Sequence, residues 1–406
     1  MVSFFTLIIF ATQFILMEKI FNNTQVAFSS MSNRELERAY LLFKTIQNRS
    51  LVKIGTSLTN FALKFHLPVE GLIRATVFDH FCGGTTEEDC LPVVDTMFAN
   101  GVSSVLDYSV EGKEDEAHFD DAMQMTLKTL DFAKERKAIP FVVFKPTGFG
   151  RFALYQKIGE GKPLTPDEAM EWGRVVGRFD RVCKKAHENN IFVLIDGEES
   201  WMQDAADQLV VEMMQKYNKE KAIVFNTLQM YRHDRMEYLK KLHEKAKVEG
   251  FHIGMKLVRG AYMEKENKRA EENNYPSPIC NSKKATDANY DNAVSYMMDH
   301  LDQMAIFAGT HNEESSYQLM DLIQRKNVSK NDNRIWFGQL YGMSDNISYN
   351  LAANDYNVAK YLPFGPVRDV MPYLIRRAEE NTSVEGQSSR ELTLITAERN
   401  RRKAHR

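Results

Sequence analysis

Two adjacent arginines in the C-terminal part of the chain are the residues best suited to chemistry. In Tyr373-Leu374-Ile375-Arg376-Arg377-Ala378-Glu379-Glu380, helical spacing puts Tyr373, Arg376, Arg377 and Glu380 at i, i+3, i+4 and i+7, on one face. Paired guanidiniums are forked donors that suit a carboxylate or a phosphate. A solvated helix face with an Arg376–Glu380 pair fits the same spacing, so this segment alone does not decide.

A second set of polar residues punctuates apolar runs. The runs are Val102–Tyr108, Phe141–Pro146, Ile191–Asp196, Ala222–Gln229, His252–Val258, Met304–Thr310, Arg334–Tyr341 and Val358–Phe364. At or just beyond their C-terminal ends stand Glu111, Lys145, Asp196 with Glu198 and Glu199, Gln229, Arg259 with Gly260 and Tyr262, Thr310-His311-Asn312, and Tyr341. Lys256, Gln339 and Tyr361 lie within runs. Singly, each reads as an ordinary polar residue. Recurrence at the same end of eight runs is hard to attribute to packing.

The elements that must position them follow from the rhythm. Short β-branched and aromatic runs alternate with helical patterns at 115–136, 166–189, 232–249, 284–301, 313–326 and 366–381. Thr165-Pro166-Asp167-Glu168 and Asn312-Glu313-Glu314 are helix-start signals, each a capping side chain followed by acids in the first turn. Near-continuous apolar strands between helices imply a parallel sheet covered on both faces. Eight such units predict an α/β fold, a closed (β/α)8 TIM-like barrel with its site at the C-terminal strand ends; an open doubly wound sheet is the competing topology. The expected organisation is an N-terminal extension or weak anchor over 1–30, a helical segment over 31–98, the barrel over 99–382, and a basic tail over 383–406.

Composition excludes other classes. The chain has 406 residues, 43% of them hydrophobic, and a net charge of −3, which gives no basis for nucleic-acid binding. Cys82, Cys90, Cys183 and Cys280 have no metal spacing and read as reduced thiols, with two bridges as the alternative. No histidine pair has zinc spacing, so no metal is expected. Gly159-Glu160-Gly161-Lys162 lacks the glycine and hydroxyl of a phosphate loop. Residues 2–17 carry no charge but fall short of the ~20 needed to span a bilayer. Residues 1–16 read either as an extension upstream of a start at Met17 or as a weak membrane anchor. With no arginine before Arg34, no mitochondrial transit peptide is expected. The basic stretch from Ala397 to Arg406 reads as a solvated tail, with contact to anionic lipid as the alternative.

The residues also resemble a known family. Lys256-Leu-Val-Arg-Gly-Ala-Tyr262 is similar to the fifth-strand motif of proline dehydrogenases. Tyr361-Leu-Pro-Phe-Gly-Pro through Tyr373-Leu-Ile-Arg-Arg-Ala-Glu-Glu-Asn381 resembles their eighth strand and helix. Ile195-Asp-Gly-Glu-Glu199, Thr310-His-Asn312 and Gln339-Leu-Tyr-Gly-Met343 resemble further signatures in the same order. The likeness spans about Asp107 to Asn381.

That resemblance implies a distorted barrel that binds FAD non-covalently and oxidises L-proline to Δ1-pyrroline-5-carboxylate, with electrons passing to a membrane quinone. It implies that Arg376, Arg377 and Lys145 grip the proline carboxylate. Tyr262, Leu340, Tyr361 and Tyr373 would wall the ring, and Glu380 shares the arginine face. Glu111 would pair with Arg376 as a gate, and Asp196 would position Lys145 and the tyrosines. Gly197, Gln229, Lys256, Arg259, Gly260, Ala261, Thr310 and His311 would contact FAD. Lys256 stands where the bifunctional bacterial branch has arginine, a point charge in place of a planar fork. Tyr361 implies preference for proline over 4-hydroxyproline. The product would pass to a separate pyrroline-5-carboxylate dehydrogenase. The expected location is the cytoplasmic face of a bacterial inner membrane, or the matrix side of the mitochondrial one. The rival reading of the residues is an aldolase or lyase with Lys145 or Lys256 as a Schiff-base amine and the arginines on a phosphate. A tethered binding protein without catalysis is a third.

Overall fold

In the computed structural model, the apolar runs become eight parallel strands. Residues 20–48, 50, 52, 55, 70–109, 114–383 and 387–404 are described. The uncharged segment over residues 2–17 lies outside them, as does Glu111, and Glu380 is described only as helix backbone. The strands are β1 (Val102–Tyr108), β2 (Phe141–Phe144), β3 (Phe192–Ile195), β4 (Val224–Gln229), β5 (Ile253–Val258), β6 (Met304–Gly309), β7 (Ile335–Leu340) and β8 (Val358–Phe364). Each pairs with the next, and β8 returns to β1 through seven register partners from Val102↔Val358 to Tyr108↔Phe364. The sheet is closed. The open-sheet alternative is thereby excluded.

Strand alternation sorts the side chains into two sets. Val105, Phe141, Val143, Leu194, Phe225, Phe307, Trp336, Ala359 and Tyr361 form the inner cluster. Phe141 packs edge-on against Trp336 at 5.0 Å and Phe307 at 5.1 Å between ring centroids. Gly338 on β7 makes room for them, since a Cβ there would stand 2.1 Å from the Phe307 ring. The opposite faces of the strands join the helices in the larger core around Leu106, Val142, Val193, Leu228, Leu257, Ile306 and Leu362. An aromatic floor thus fills the barrel below, and polar side chains are left for the mouth.

The helix-start signals act as read. Thr165 makes a reciprocal capping box with Glu168 and Pro166 opens the helix Pro166–Asn189. The Asn312 side chain caps Glu313–Arg325. The last pattern starts later than expected, at Met371, because Asp369 and Val370 turn back onto the Pro366 carbonyl. All four cysteines are free thiols.

Two segments differ from expectation. Residues 20–30, grouped above with the extension, are packed: Phe21, Ala27 and Phe28 are buried, and the Phe21 ring lies 4.3 Å from that of Tyr317. The basic tail is no solvated coil either, because Gln387–Ala404 is a helix. Its Leu394 and Ile395 bury against Phe28, Ala39 and Phe43, joining it to the helix Asn33–Ile46. Its arginines are engaged: Arg399 binds Glu37 at 2.7 Å, and Arg402 donates to the Met31 and Phe28 carbonyls. Periodicity missed it because the helix packs a narrow apolar stripe beneath charges that pair with one another.

Candidate active site

Lys256 is the centre of the mouth. It sits on β5 beside Thr227 and Phe307 in register, 6% exposed. Its ammonium donates to Asp196 beyond β3 and, at 3.0 Å, to the Tyr361 hydroxyl of β8. Burial, then the charges of Asp196 and Asp107, hold the Tyr361 phenol well above its usual range. Asp107 is the penultimate residue of β1, and its place in an apolar run gives no local sign of a site role. It accepts from Ser109 at 2.6 Å.

Beyond β5 the chain turns sharply. Gly260 has φ +136°, and a Cβ there would lie 2.5 Å from the Tyr231 ring, so only glycine fits. Arg259 just before it is held on three sides. Nε donates to Asp287 at 2.6 Å, Nη1 to Thr310 at 2.8 Å and Nη2 to Ser315 at 3.0 Å, and the guanidinium lies 4.6 Å over the Tyr290 ring. Ala261 is exposed and Tyr262 partly so.

On the β3–β4 side, Gln229 donates to the Glu198 carbonyl at 2.6 Å. Gly197 lies beneath, where a Cβ would meet Gln229 Nε2 at 3.2 Å and Thr227 Cγ2 at 3.3 Å. The Glu198 carboxylate accepts from Thr147 N at 3.0 Å and Thr147 Oγ1 at 2.7 Å. Burial nonetheless pushes it up to about 7, against the pull of Thr147 and of Lys145. On the β6–β7 side, Gln339 donates to the Thr310 carbonyl at 3.0 Å, and His311 Nδ1 is 2.8 Å from Ser344 Oγ. Burial first, then Lys360, Arg377 and Arg259, push His311 down to about 3 and keep it neutral at physiological pH.

The arginine helix, Met371–Ser383, closes over this mouth. Tyr373 and Leu374 bury with Phe81, Met343 and, partly, Leu340. The Arg377 guanidinium lies 5.2 Å from the Tyr373 ring centroid, and its charge reaches His311 beyond β6. The charge of Arg376 reaches Tyr262 beyond β5. Arg377 is 8% exposed, on a helix whose Tyr373 and Leu374 bury beside Met343 and Leu340, and Arg376 is half-buried. A fully solvated face does not fit the buried Arg377, while the Arg376–Glu380 pair rests on a side chain outside those described. Of the sequence candidates, Lys145, Asp196, Gly197, Gln229, Lys256, Arg259, Gly260, Ala261, Tyr262, Thr310, His311, Leu340, Tyr361, Tyr373, Arg376 and Arg377 fall on this one end of the barrel or the helix above it.

The Schiff-base reading fares less well. Of its two candidate lysines, Lys256 is held by Asp196 and Tyr361 rather than left open to a substrate carbonyl, and family membership does not favour the reading. Lys360, fully buried on the outer face of β8, was also passed over. It donates to the Met343 carbonyl and Asp345 carboxylate, each at 2.6 Å, and to the Leu340 carbonyl at 3.3 Å. A lysine beside Tyr361 in an otherwise apolar strand was the available signal.

Comparison with known proteins agrees with the barrel fold. The family model for proline dehydrogenase matches residues 90–390, more than half of the chain. The chain belongs to the proline dehydrogenase family. Among curated relatives of this proline dehydrogenase family member, the carbapenem antibiotics biosynthesis protein CarD of Pectobacterium carotovorum is 35% identical over 94% of this chain and 98% of that protein. Mitochondrial proline dehydrogenase 1 of Arabidopsis thaliana is 29% identical over 92% of this chain and 85% of its own length. Among solved structures, proline utilization A from Bdellovibrio bacteriovorus matches with a TM-score of 0.70 at 21% identity, covering 89% of this chain but 38% of the larger one. That likeness carries the barrel fold. Family membership supports proline dehydrogenase activity, an oxidoreductase step of proline catabolism. Among the described residues, no helix is long and apolar enough to cross a membrane.

Proposed function

We propose that this chain oxidises L-proline to Δ1-pyrroline-5-carboxylate with non-covalently held FAD, and that the electrons leave to a membrane quinone. The observation that carries the reading is the arginine helix packed beside the β7 end, with Arg377 buried against Tyr373 and Tyr373 and Leu374 buried with Met343 and Leu340. The chemistry of the donors fits a flavin dinucleotide. Lys256, paired with Asp196, and Arg259, paired with Asp287, stand as basic donors toward an anionic cofactor, Thr310 and His311 supply neutral polar groups, Gly260 leaves backbone bare where a Cβ has no room, and a Cβ at Gly197 would be tight. Gln229 and Ala261 complete that set. Bound flavin would supply the hydride acceptor.

The remaining chemistry belongs to side chains of the chain. Arg376, Arg377 and Lys145 hold the proline carboxylate, the substrate's only permanent anion, in a pocket otherwise walled by Tyr262, Leu340, Tyr361 and Tyr373. Clamping the acid group fixes the ring, so that the carbon beside nitrogen lies toward the acceptor. Oxidation removes a hydride from that carbon and a proton from nitrogen, leaving the C=N bond of the product. The amine must shed its ammonium proton beforehand. Three cations around the substrate favour that loss, since like charge disfavours the protonated form. Asp196 locks Lys256, so the β5 ammonium stays at a fixed point rather than swinging into the substrate. Glu111 would pair with Arg376 as a gate that closes over bound substrate, and Glu380 would share the arginine face. The product leaves for a separate pyrroline-5-carboxylate dehydrogenase.

An anaerobic spectrum tests the reading. Purified protein is expected to show flavin absorbance near ~450 nm that bleaches on adding L-proline. A colourless protein, or a yellow one whose spectrum ignores proline, overturns it. Quinone use is tested by proline-dependent reduction of a soluble ubiquinone analogue under the same conditions, and no reduction overturns that part alone.

A further inference from the structure

We infer that Glu391, on the C-terminal helix, is a positioning residue for the cofactor end of the site, acting through Ser344 on His311. The inference rests on the proposed cofactor role of His311. Three independent contacts converge on the loop after β7. From β8, Lys360 holds the Met343 carbonyl and the Asp345 carboxylate. From the β6 end, His311 meets the Ser344 hydroxyl at 2.8 Å. From the C-terminal helix, the Glu391 carboxylate accepts the Ser344 backbone N–H.

Ser344 needs such holding. Its φ is +52°, a left-handed conformation that costs a non-glycine residue about 1 kcal/mol. It precedes the helix Asp345–Ala352 and is 4% exposed. An amide in that place has no water to bond, so an acceptor must come from the protein. Glu391 is itself 5% exposed, and the carboxylates of Asp345 and Glu313 both act on it. A buried acid beside two others is an expensive way to tether a helix, and burial holds its carboxyl up at about 7.

The neighbouring residue works on the other loop. Arg390 binds Glu313 at 2.9 Å, and Glu313 is the first residue of the helix that follows His311-Asn312. Glu313 also accepts from Asn346 at 2.9 Å. Two consecutive residues of the C-terminal helix thus grip the loops that follow β6 and β7, and His311 and Ser344 meet between them. The hydroxyl of Ser344 is the group that orients the neutral imidazole, because the partner on one ring nitrogen decides what the other presents.

The test uses the full chain, titrating FAD into protein stripped of flavin and reading the dissociation constant from flavin fluorescence. Thermal midpoints are measured alongside. Glu391→Ala is expected to weaken FAD binding by about tenfold, the worth of one well-made hydrogen bond. Glu391→Gln, whose amide oxygen still accepts the Ser344 N–H, is expected to stay within about threefold of the natural chain. Ser344→Ala keeps Glu391 but deletes the contact to His311, and is expected to weaken FAD as Glu391→Ala does while the thermal midpoint stays near that of the natural chain. If Glu391→Ala does not fold, Ser344→Ala decides. FAD affinity unchanged in both alanine variants, or equally weak binding by Glu391→Gln and Glu391→Ala, overturns the inference. His311→Ala separates the two levels. Weakened binding there with unchanged Ser344→Ala and Glu391→Ala removes only the role of Glu391. Unchanged binding in His311→Ala removes the cofactor reading beneath it.

Discussion

Replacing Lys256 by methionine takes away the cation that Asp196 faces and the donor to Tyr361 in one step. Lys256 has 7% of its side chain exposed and Asp196 has 19%, so the pair lies largely out of water. Removing one partner of such a pair leaves the other charge uncompensated, at a cost of about 3–5 kcal/mol. The residual exposure of Asp196 puts the expected loss at the lower end, about 3 kcal/mol for Lys256→Met and similarly for Asp196→Leu. The double variant has no stranded charge. It loses only the bond to Tyr361, worth about 1 kcal/mol, and should be more stable than either single variant. Urea unfolding of flavin-free protein measures this without contributions from cofactor binding, provided the m-value is unchanged. A double variant whose loss equals the sum of the two single losses within about 0.5 kcal/mol would show that the charges do not feel each other, and the argument for a locked β5 ammonium would fall.

Further outcomes follow from the same geometry. Arg377→Met should raise KM for L-proline by about 10–100-fold while flavin absorbance persists, since a charge-assisted fork to the carboxylate is lost; an unchanged KM counts against the carboxylate role. The Glu198 carboxyl is raised from 4.5 to about 7, so the protonated form is favoured in the fold; stability from this group is full below pH 4.5 and lost as pH rises through 7. Glu198→Gln should therefore gain up to about 3 kcal/mol relative to the natural chain between pH 4.5 and 8 in urea titrations, and parallel pH profiles would contradict the burial argument. Trp336→Ala opens the barrel floor and should cost about 3–5 kcal/mol by the same assay; a loss under 1 kcal/mol means the floor has collapsed to fill the hole. With Tyr361 in place, kcat/KM for 4-hydroxyproline should fall well below that for proline, and equal values would refute the steric reading.

The barrel was legible because most residues of its strands are apolar on both faces. A parallel strand covered by helices outside and an aromatic floor inside has no solvent face to advertise, so its run is continuous and its ends are polar. Val102–Tyr108 and Val358–Phe364 were bounded to the residue for that reason. Closure itself was not written in any one segment; it lies in the β1–β8 pairing, a contact between residues some 250 positions apart. The arginine pair was legible as a pair, but its aim was not, since helix spacing does not say which face a neighbour covers. Lys360 carried a signal as a lone lysine in an apolar run, but what it and Glu391 hold was illegible for a different reason. Their partners, Met343, Asp345 and Ser344, come from a loop whose left-handed residue has an ordinary side chain, and no local pattern marks a serine that must adopt φ +52°. The basic tail misled because charge was counted without its counterions: Glu37, Glu313 and Glu398 are the partners of those arginines.

The packing of Leu394 and Ile395 onto Phe28, Ala39 and Phe43 has a consequence for biosynthesis. A ribosome would deliver the early helix more than 340 residues before Leu394 and Ile395, so the part of its apolar side that they cover lacks that partner through nearly the whole of translation. Nascent chains stalled before position 387 should accordingly be clients of holding chaperones, and chains released past 404 should not.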